Sequence, residues 1–300
     1  MSVLIVGSMA LDTVETATGR VENALGGAAT FAGMAAALFT RVRLCGVVGE
    51  DFPPHELEAL SNRGIDLAGV ERAAGKTFHW SGVYSHDFTH RETLDTQLNV
   101  FEHFHPKLPD DWRDSEYVFL ANIHPALQLA VLEQTKRPRL VFCDTMNLWI
   151  DSQPEQVLEV LRNVDVAFMN DEEARAICNT HHLVLAGRKL LTMGPKIVVI
   201  KKGEHGAMLF SQDDYFVAPS YPVEMLVDPT GAGDTFAGGF IGYLDQTGNH
   251  SPQNLRRALV YGSIVASFAV ESFSVERLRS VTPGDIAERY DRFRRIIEYH

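Results

Sequence analysis

The sequence predicts an α/β fold with a largely parallel sheet covered by helices on both faces, and three observations carry that expectation. Short apolar runs rich in β-branched and aromatic residues recur along the 300 residues, near-continuous in the way of strands buried on both faces. Helical patterns with recognisable starts separate them. One stretch breaks the alternation with a period of two.

The strands are expected at 3–6, 43–48, 117–121, 140–143, 166–169 and 197–200. Helices follow the same logic: 28–39 is alanine-rich, 125–135 and 154–161 open with proline in the first turn, and 171–178 follows Asn170 as a cap. Two long helices, about 232–246 and 253–271, finish the layer. From 76 to 104 the text reads KTFHWSGVYSHDFTHRETLDTQLNVFEHF, in which Phe78, Trp80 and Tyr84 alternate before a polar turn and Leu94, Leu98 and Val100 alternate after it. That pattern predicts an inserted antiparallel hairpin. A Thr- and Val-rich piece at 12–21 is placed to pair with it, giving a small separate sheet that serves either as a lid, from about 12–22 and 76–105, or as an edge ornament. No linker or repeat interrupts the chain, so residues 1–300 are expected to form a single domain.

Composition excludes some functions. With 27 basic and 39 acidic residues the net charge is -12, which repels nucleic acid and anionic membrane. A phosphate must therefore be held locally, by backbone N–H groups, a helix N-terminus, a few lysines or a metal. Cys45, Cys143 and Cys178 form no CxxC pair and suit a reducing cytoplasm. The apolar start lacks a basic flank and reads as a first buried strand, not a targeting segment. The histidines His79, His86, His90, His103 and His105 lack metal-ligand spacing, although His103 and His105 could share a strand face.

The chemistry concentrates in DPTGAGDTFAGG, residues 228–239, after the strand-like run 223–227. A helical pattern starts near Ala232, so Gly231 and Gly233 sit where N–H groups lack intrahelical partners and about half a positive charge accumulates. Gly-Asp-Thr replaces the Gly-Lys-Ser/Thr of a Walker A loop, and no GxGxxG follows the first strand. Asp234 has two readings. It either complements the helix dipole or takes the proton of a hydroxyl attacking a phosphoryl group held over Gly231–Gly233.

DPTGAGDTFAGGF closely resembles the C-terminal signature of the ribokinase (PfkB) family of carbohydrate and nucleoside kinases. The resemblance implies a ribokinase-like three-layer sandwich with a small β-sheet lid. It makes Asp234 the base and Gly231, Ala232 and Gly233 the anion hole. Gly7-Ser8 with Asp12, and Gly26-Gly27 before an alanine-rich helix, resemble the family's substrate-binding elements. Asn170 and Glu173 match an NxxE element that orders water-coordinated Mg2+ and nucleotide phosphates, while IKKGEHGAML nominates Lys201, Gly203 and Gly206 beside the nucleotide. Asp228 matches a position near a monovalent cation, implying K+. Two departures stand out: Phe31 replaces a sugar-binding asparagine with an apolar or stacking surface, and CDTMNLWID at 143–151 lacks the family's Pro and Arg, so it receives no catalytic role. The resemblance thus implies an ATP- and Mg2+-dependent kinase acting on a hydroxyl of a sugar or sugar-like alcohol. An adenosine-type nucleoside kinase is the alternative, a non-catalytic sugar- or nucleotide-binding protein is the rival from another class, and a homodimer through the lid is a further expectation.

Overall fold

The computed structural model describes residues 2–298. Its strands are β1 (Ser2–Val6), β2 (Ala10–Thr16), β3 (Gly19–Gly26), β4 (Arg41–Val48), β5 (Ile65–Arg72), β6 (Phe78–Tyr84), β7 (Arg91–Gln97), β8 (Tyr117–Leu120), β9 (Leu140–Cys143), β10 (Val166–Asn170), β11 (Ile197–Lys201), β12 (Ala207–Phe210) and β13 (Tyr215–Ala218). Nine of them form one sheet in the order β13-β12-β11-β10-β9-β8-β1-β4-β5, parallel except at the β11-β12-β13 edge. The other four form a second sheet, β3-β2-β6-β7.

The large sheet is buried on both faces because successive side chains of each strand serve different cores. Val3 and Ile5 of β1 join a cluster with the helices Ala28–Ala36, Ala232–Thr247, Pro252–Ala269 and Pro283–Ile297. Leu4 and Val6 join the opposite cluster, which includes Val131, Val157, Ala174 and Leu190 from the helices Pro125–Gln134, Pro154–Arg162, Asp171–Cys178 and Leu183–Leu191. Helix, sheet and helix therefore make three layers. The chain builds β4 and β5 on one side of β1 and β8 onward on the other, which opens a crevice at the carboxyl ends of the central strands.

Every expected strand and helix of the main layers is present, with ends that differ by a few residues; the 28–39 helix stops at Ala36. The predicted hairpin is β6 and β7, and β6 pairs in parallel with β2, so the two suspected segments do share a sheet. Several expectations need correction. Residues 223–227 are not a strand, since Val227 donates its N–H across to Val270 O at 2.8 Å. Val100 lies in a short 3₁₀ turn, Asn99–His103, which also takes His103 off any strand. The 12–21 piece is itself the start of the hairpin formed by β2 and β3. Strands β5, β12 and β13 and the helices Pro54–Asn62 and Leu183–Leu191 were not expected from the sequence, and a further long helix, Pro283–Ile297, follows the two expected to finish the layer. Among the described residues no helix is long and apolar enough to cross a membrane.

Candidate active site

The crevice is closed on one side by Gly26-Gly27, where β3 delivers the chain into the Ala28–Ala36 helix. A Cβ on Gly26 would stand 2.0 Å from Asp12 Oδ2, and one on Gly27, whose φ is +95°, 2.4 Å from Ser8 O. Both glycines are thus required by close approach, and Gly26 makes the space that Asp12 occupies. Asp12 is only 7% exposed, and its Oδ1 has no hydrogen-bond partner among the described residues. Burial, reinforced by the charges of Asp228 and Asp234, raises its pKa to about 7 against the pull of the Trp80 and Gly27 backbones. A buried acceptor oxygen without a donor is what a substrate hydroxyl satisfies.

Opposite stands the N-terminus of the Ala232–Thr247 helix. Its cap is Gly231 at φ 72°, with no side-chain cap, and a Cβ there would lie 2.3 Å from the Phe31 ring. Ala232 donates to Pro229 O and Thr235 to Gly231 O, whereas the N–H groups of Gly231 and Gly233 find no acceptor among the described residues. They are left for an anion. The downstream glycines serve packing: a Cβ on Gly238 would reach 2.2 Å from Ala32 O. Asp234, in the first turn, keeps part of its surface open to solvent. Burial first, and then Asp144, push its pKa up to about 7, while Lys201 and Arg91 restrain it. A carboxylate titrating there is matched to accepting a proton near neutrality.

Three strand ends of the large sheet supply the third wall. Lys201 ends β11, and its Nζ lies 2.5 Å from Asp144 Oδ2, one residue beyond β9. Asp144 is buried and Lys201 half-buried, at 4% and 15% side-chain exposure. Burial alone pulls the Lys201 ammonium down, but Asp144, Glu173 and Asp234 together outweigh it and hold its pKa above the ordinary value. A Cβ on Gly233 would meet Lys201 Nζ at 3.1 Å, so the ammonium borders the free N–H groups. At the end of β10, Asn170 and Glu173 form a reciprocal capping box: Glu173 N–H donates to Asn170 Oδ1 at 2.8 Å, and Asn170 N–H to Glu173 Oε2 at 2.8 Å. Glu173 is 5% exposed, and burial, followed by the Asp144 charge, lifts its pKa to about 8.

The remaining expected residues lie at the margins. Asp228 is 1% exposed, accepts from the Thr230 N–H at 2.8 Å and from the Ser274 N–H at 3.4 Å, and has its pKa raised by burial. Gly203 and Gly206 shape the turn between β11 and β12 at φ 53° and 84°, directly after Lys201. The expectation of an open stacking surface at Phe31 is corrected: the ring is 2% exposed and pressed beneath Gly231, so it supports the loop from below. One contributor, Asp144, escaped sequence reasoning. Asp144 sits in the segment denied a role, and its only local signal is an acid directly after a buried strand. Tyr84 accepts a hydrogen bond from Thr230 Oγ1 at 3.2 Å, tying the small sheet to the loop before Gly231.

The sequence model of the pfkB family carbohydrate kinases matches residues 2–278. A cytidine kinase of Thermococcus kodakarensis is 31% identical over 247 residues, covering 80% of this chain and 87% of that protein. A nucleoside kinase of Methanothermobacter thermautotrophicus is 29% identical over 265 residues, covering 85% and 81%. The solved structure of the Methanocaldococcus jannaschii nucleoside kinase, a member of the ribokinase family, superposes with a TM-score of 0.76 over 97% of this chain and 98% of that one, at 22% identity. By a family match that spans nearly the whole chain and the three-layer architecture described above, the chain belongs to the pfkB family of carbohydrate kinases.

Proposed function

We propose that the crevice transfers the γ-phosphoryl group of ATP to a hydroxyl of a sugar or nucleoside, with Asp234 as general base. The observation that carries this reading is the juxtaposition at one helix start: two N–H groups without acceptors among the described residues, a bordering lysine and a carboxylate whose pKa is about 7. Asp12 orients the acceptor through its unpartnered Oδ1. Asp234 takes the hydroxyl proton as the oxygen attacks the γ-phosphorus, and the O–P bond forms as the bond to the bridging oxygen breaks. The N–H groups of Gly231 and Gly233, within the Gly231–Ala232–Gly233 turn, stabilise the charge on the group in transfer.

Among the described residues no cluster of three His, Cys, Asp or Glu side chains is built to hold a metal. Asn170 and the buried Glu173, locked to each other by the capping box, would orient the hydration shell of an Mg2+ held by phosphates and water. The chemistry such an ion would supply when bound is neutralisation of phosphate charge. Lys201, at the head of the Gly203–Gly206 turn, adds a fixed cation to the same wall. A potassium ion beside Asp228 belongs to the same proposal, supported by a buried carboxylate that makes no ion pair among the described residues; turnover in KCl compared with choline chloride tests it.

The small sheet is the lid in this reading, one part of a single domain, and the Tyr84–Thr230 bond supports its closure over the loop. Strand β7 is exposed along its whole length, leaving an edge for self-association, which sedimentation tests. Three free, buried cysteines support a reducing cytoplasm. Within the kinase reading, a nucleoside acceptor is the alternative, supported by an aromatic residue, Trp80, on the strand that pairs in register with Asp12. A screen with Mg2+ and ATP over sugars, nucleosides and polyols, scored by product mass, tests the proposal. Acceptor binding without any phosphorylated product selects the non-catalytic rival.

A further inference from the structure

The lid carries a cation that no acid among the described residues claims. Arg91 opens β7 and pairs in register with Tyr84. Tyr84 in turn meets Thr230, the residue before Gly231. Of the two cations that act on Asp234, Lys201 is engaged by Asp144, whereas Arg91 makes no ion pair among the described residues. The guanidinium also acts on the Tyr84 phenol.

Its placement is built, not incidental. The Arg91 guanidinium carbon stands 5.4 Å from the centre of the Trp80 ring, within cation–π range. Trp80 is itself fixed, because Nε1 donates to Thr93 Oγ1 at 3.2 Å and the indole lies across Gly82, where a Cβ would come within 2.3 Å of it. A glycine thus seats an indole, the indole seats a guanidinium, and the guanidinium lies beside the tyrosine that touches the anion-binding loop.

We propose that Arg91 engages the γ-phosphoryl group in transfer, so that the small sheet completes the charge-stabilising wall that Lys201 supplies from the large sheet. This rests on the kinase reading. As the acceptor oxygen bonds to phosphorus and ADP departs with the electron pair of the broken P–O bond, negative charge spreads over the three equatorial oxygens. The acceptor proton goes to Asp234. A planar guanidinium offers paired N–H donors to such oxygens, and in a crevice that also holds Asp12, Asp228 and Asp234 an unpaired cation is free for them.

The test compares wild type with Arg91→Gln, Arg91→Lys and Gly82→Ala, using whichever of cytidine, adenosine and ribose is turned over fastest. Arg91→Gln is expected to lower kcat by about 10²- to 10³-fold, with the acceptor KM within about threefold of wild type. Calorimetry supplies a readout apart from turnover. ADP binding should persist, while binding of ADP with aluminium fluoride and the acceptor, which mimics the group in transfer, weakens by a similar factor. Arg91→Lys should fall between the two, and Gly82→Ala should follow Arg91→Gln in direction because it displaces the indole. Wild-type kcat in Arg91→Gln, a rise in acceptor KM with kcat intact, or equal weakening of ADP and of the fluoroaluminate complex each overturns the assignment. If wild type itself forms no product, the kinase reading falls and this proposal with it. If wild type turns over and Asp234→Asn does not, a fully active Arg91→Gln removes the arginine alone.

Discussion

Replacing Asp12 by Asn should stabilise the protein at alkaline pH while disabling its acceptor site. The Asp12 carboxyl ionises near pH 4 when unfolded but near pH 7 when folded, chiefly because it is buried and secondarily because Asp228 and Asp234 are close. The native state therefore binds this proton more tightly than the unfolded state does. The associated stability is fully present below about pH 4 and is lost as pH rises through about 7. A gap of about three pKa units corresponds to a ceiling of about 4 kcal/mol above pH 7, accumulating at roughly 1.4 kcal/mol per pH unit. Asparagine keeps the shape and leaves no charge to bury, so the two proteins should be equally stable near pH 4 and diverge thereafter. At pH 8 the variant should lead by about 2 to 4 kcal/mol, or roughly 4 to 8 °C in Tm if each kcal/mol moves a domain this large by about 2 °C. Urea and thermal unfolding of both proteins at pH 4, 5, 6, 7 and 8 measure the difference, in which titrations common to both cancel. A stability difference that is flat across this range, or a wild type that is the more stable at pH 8, refutes the reasoning. Weaker acceptor binding alongside the gain in stability is the companion result, because the amide offers a substrate hydroxyl a neutral acceptor oxygen in place of a charged one.

Other outcomes follow from the same geometry. Asp234→Asn should lower kcat by about 10² or more, at least about 3 kcal/mol of barrier, with ADP affinity kept; in wild type kcat/KM should fall about tenfold per pH unit below roughly 7, and the variant should lose that limb. Lys201→Met leaves the buried Asp144 without its cation and should cost about 3 to 5 kcal/mol by urea unfolding; the pair Lys201→Met and Asp144→Asn should recover most of it, and additive losses would argue against the pairing. Gly231→Ala faces both φ 72° and the Phe31 ring at 2.3 Å, so it should cost about 1 to 3 kcal/mol and depress turnover with acceptor and ADP binding less affected.

What the chain alone determined is local. Buried parallel strands announce themselves by continuous apolar runs, which is why β1, β4 and β8–β11 were legible, whereas the half-exposed β5 and β13 were not. The glycine-rich helix start and the Asn170 cap are likewise short-range patterns, whereas Asp12, the double glycine and Glu173 were picked out by resemblance to the family's motifs; each lies at the crevice. Tertiary structure decided what spans long separations. Lys201 and Asp144 are 57 residues apart, and Thr230 and Tyr84 are 146 apart. No periodicity couples such positions, because only the order of strands in the two sheets brings them within reach. The same holds for charge: an aspartate reads as ionised in any sequence, and only burial beside other carboxylates lifts Asp12 and Asp234 to about 7. Phe31 shows the converse, an aromatic that comparison with the family's motif offers as a stacking surface and that packing turns into the support beneath Gly231.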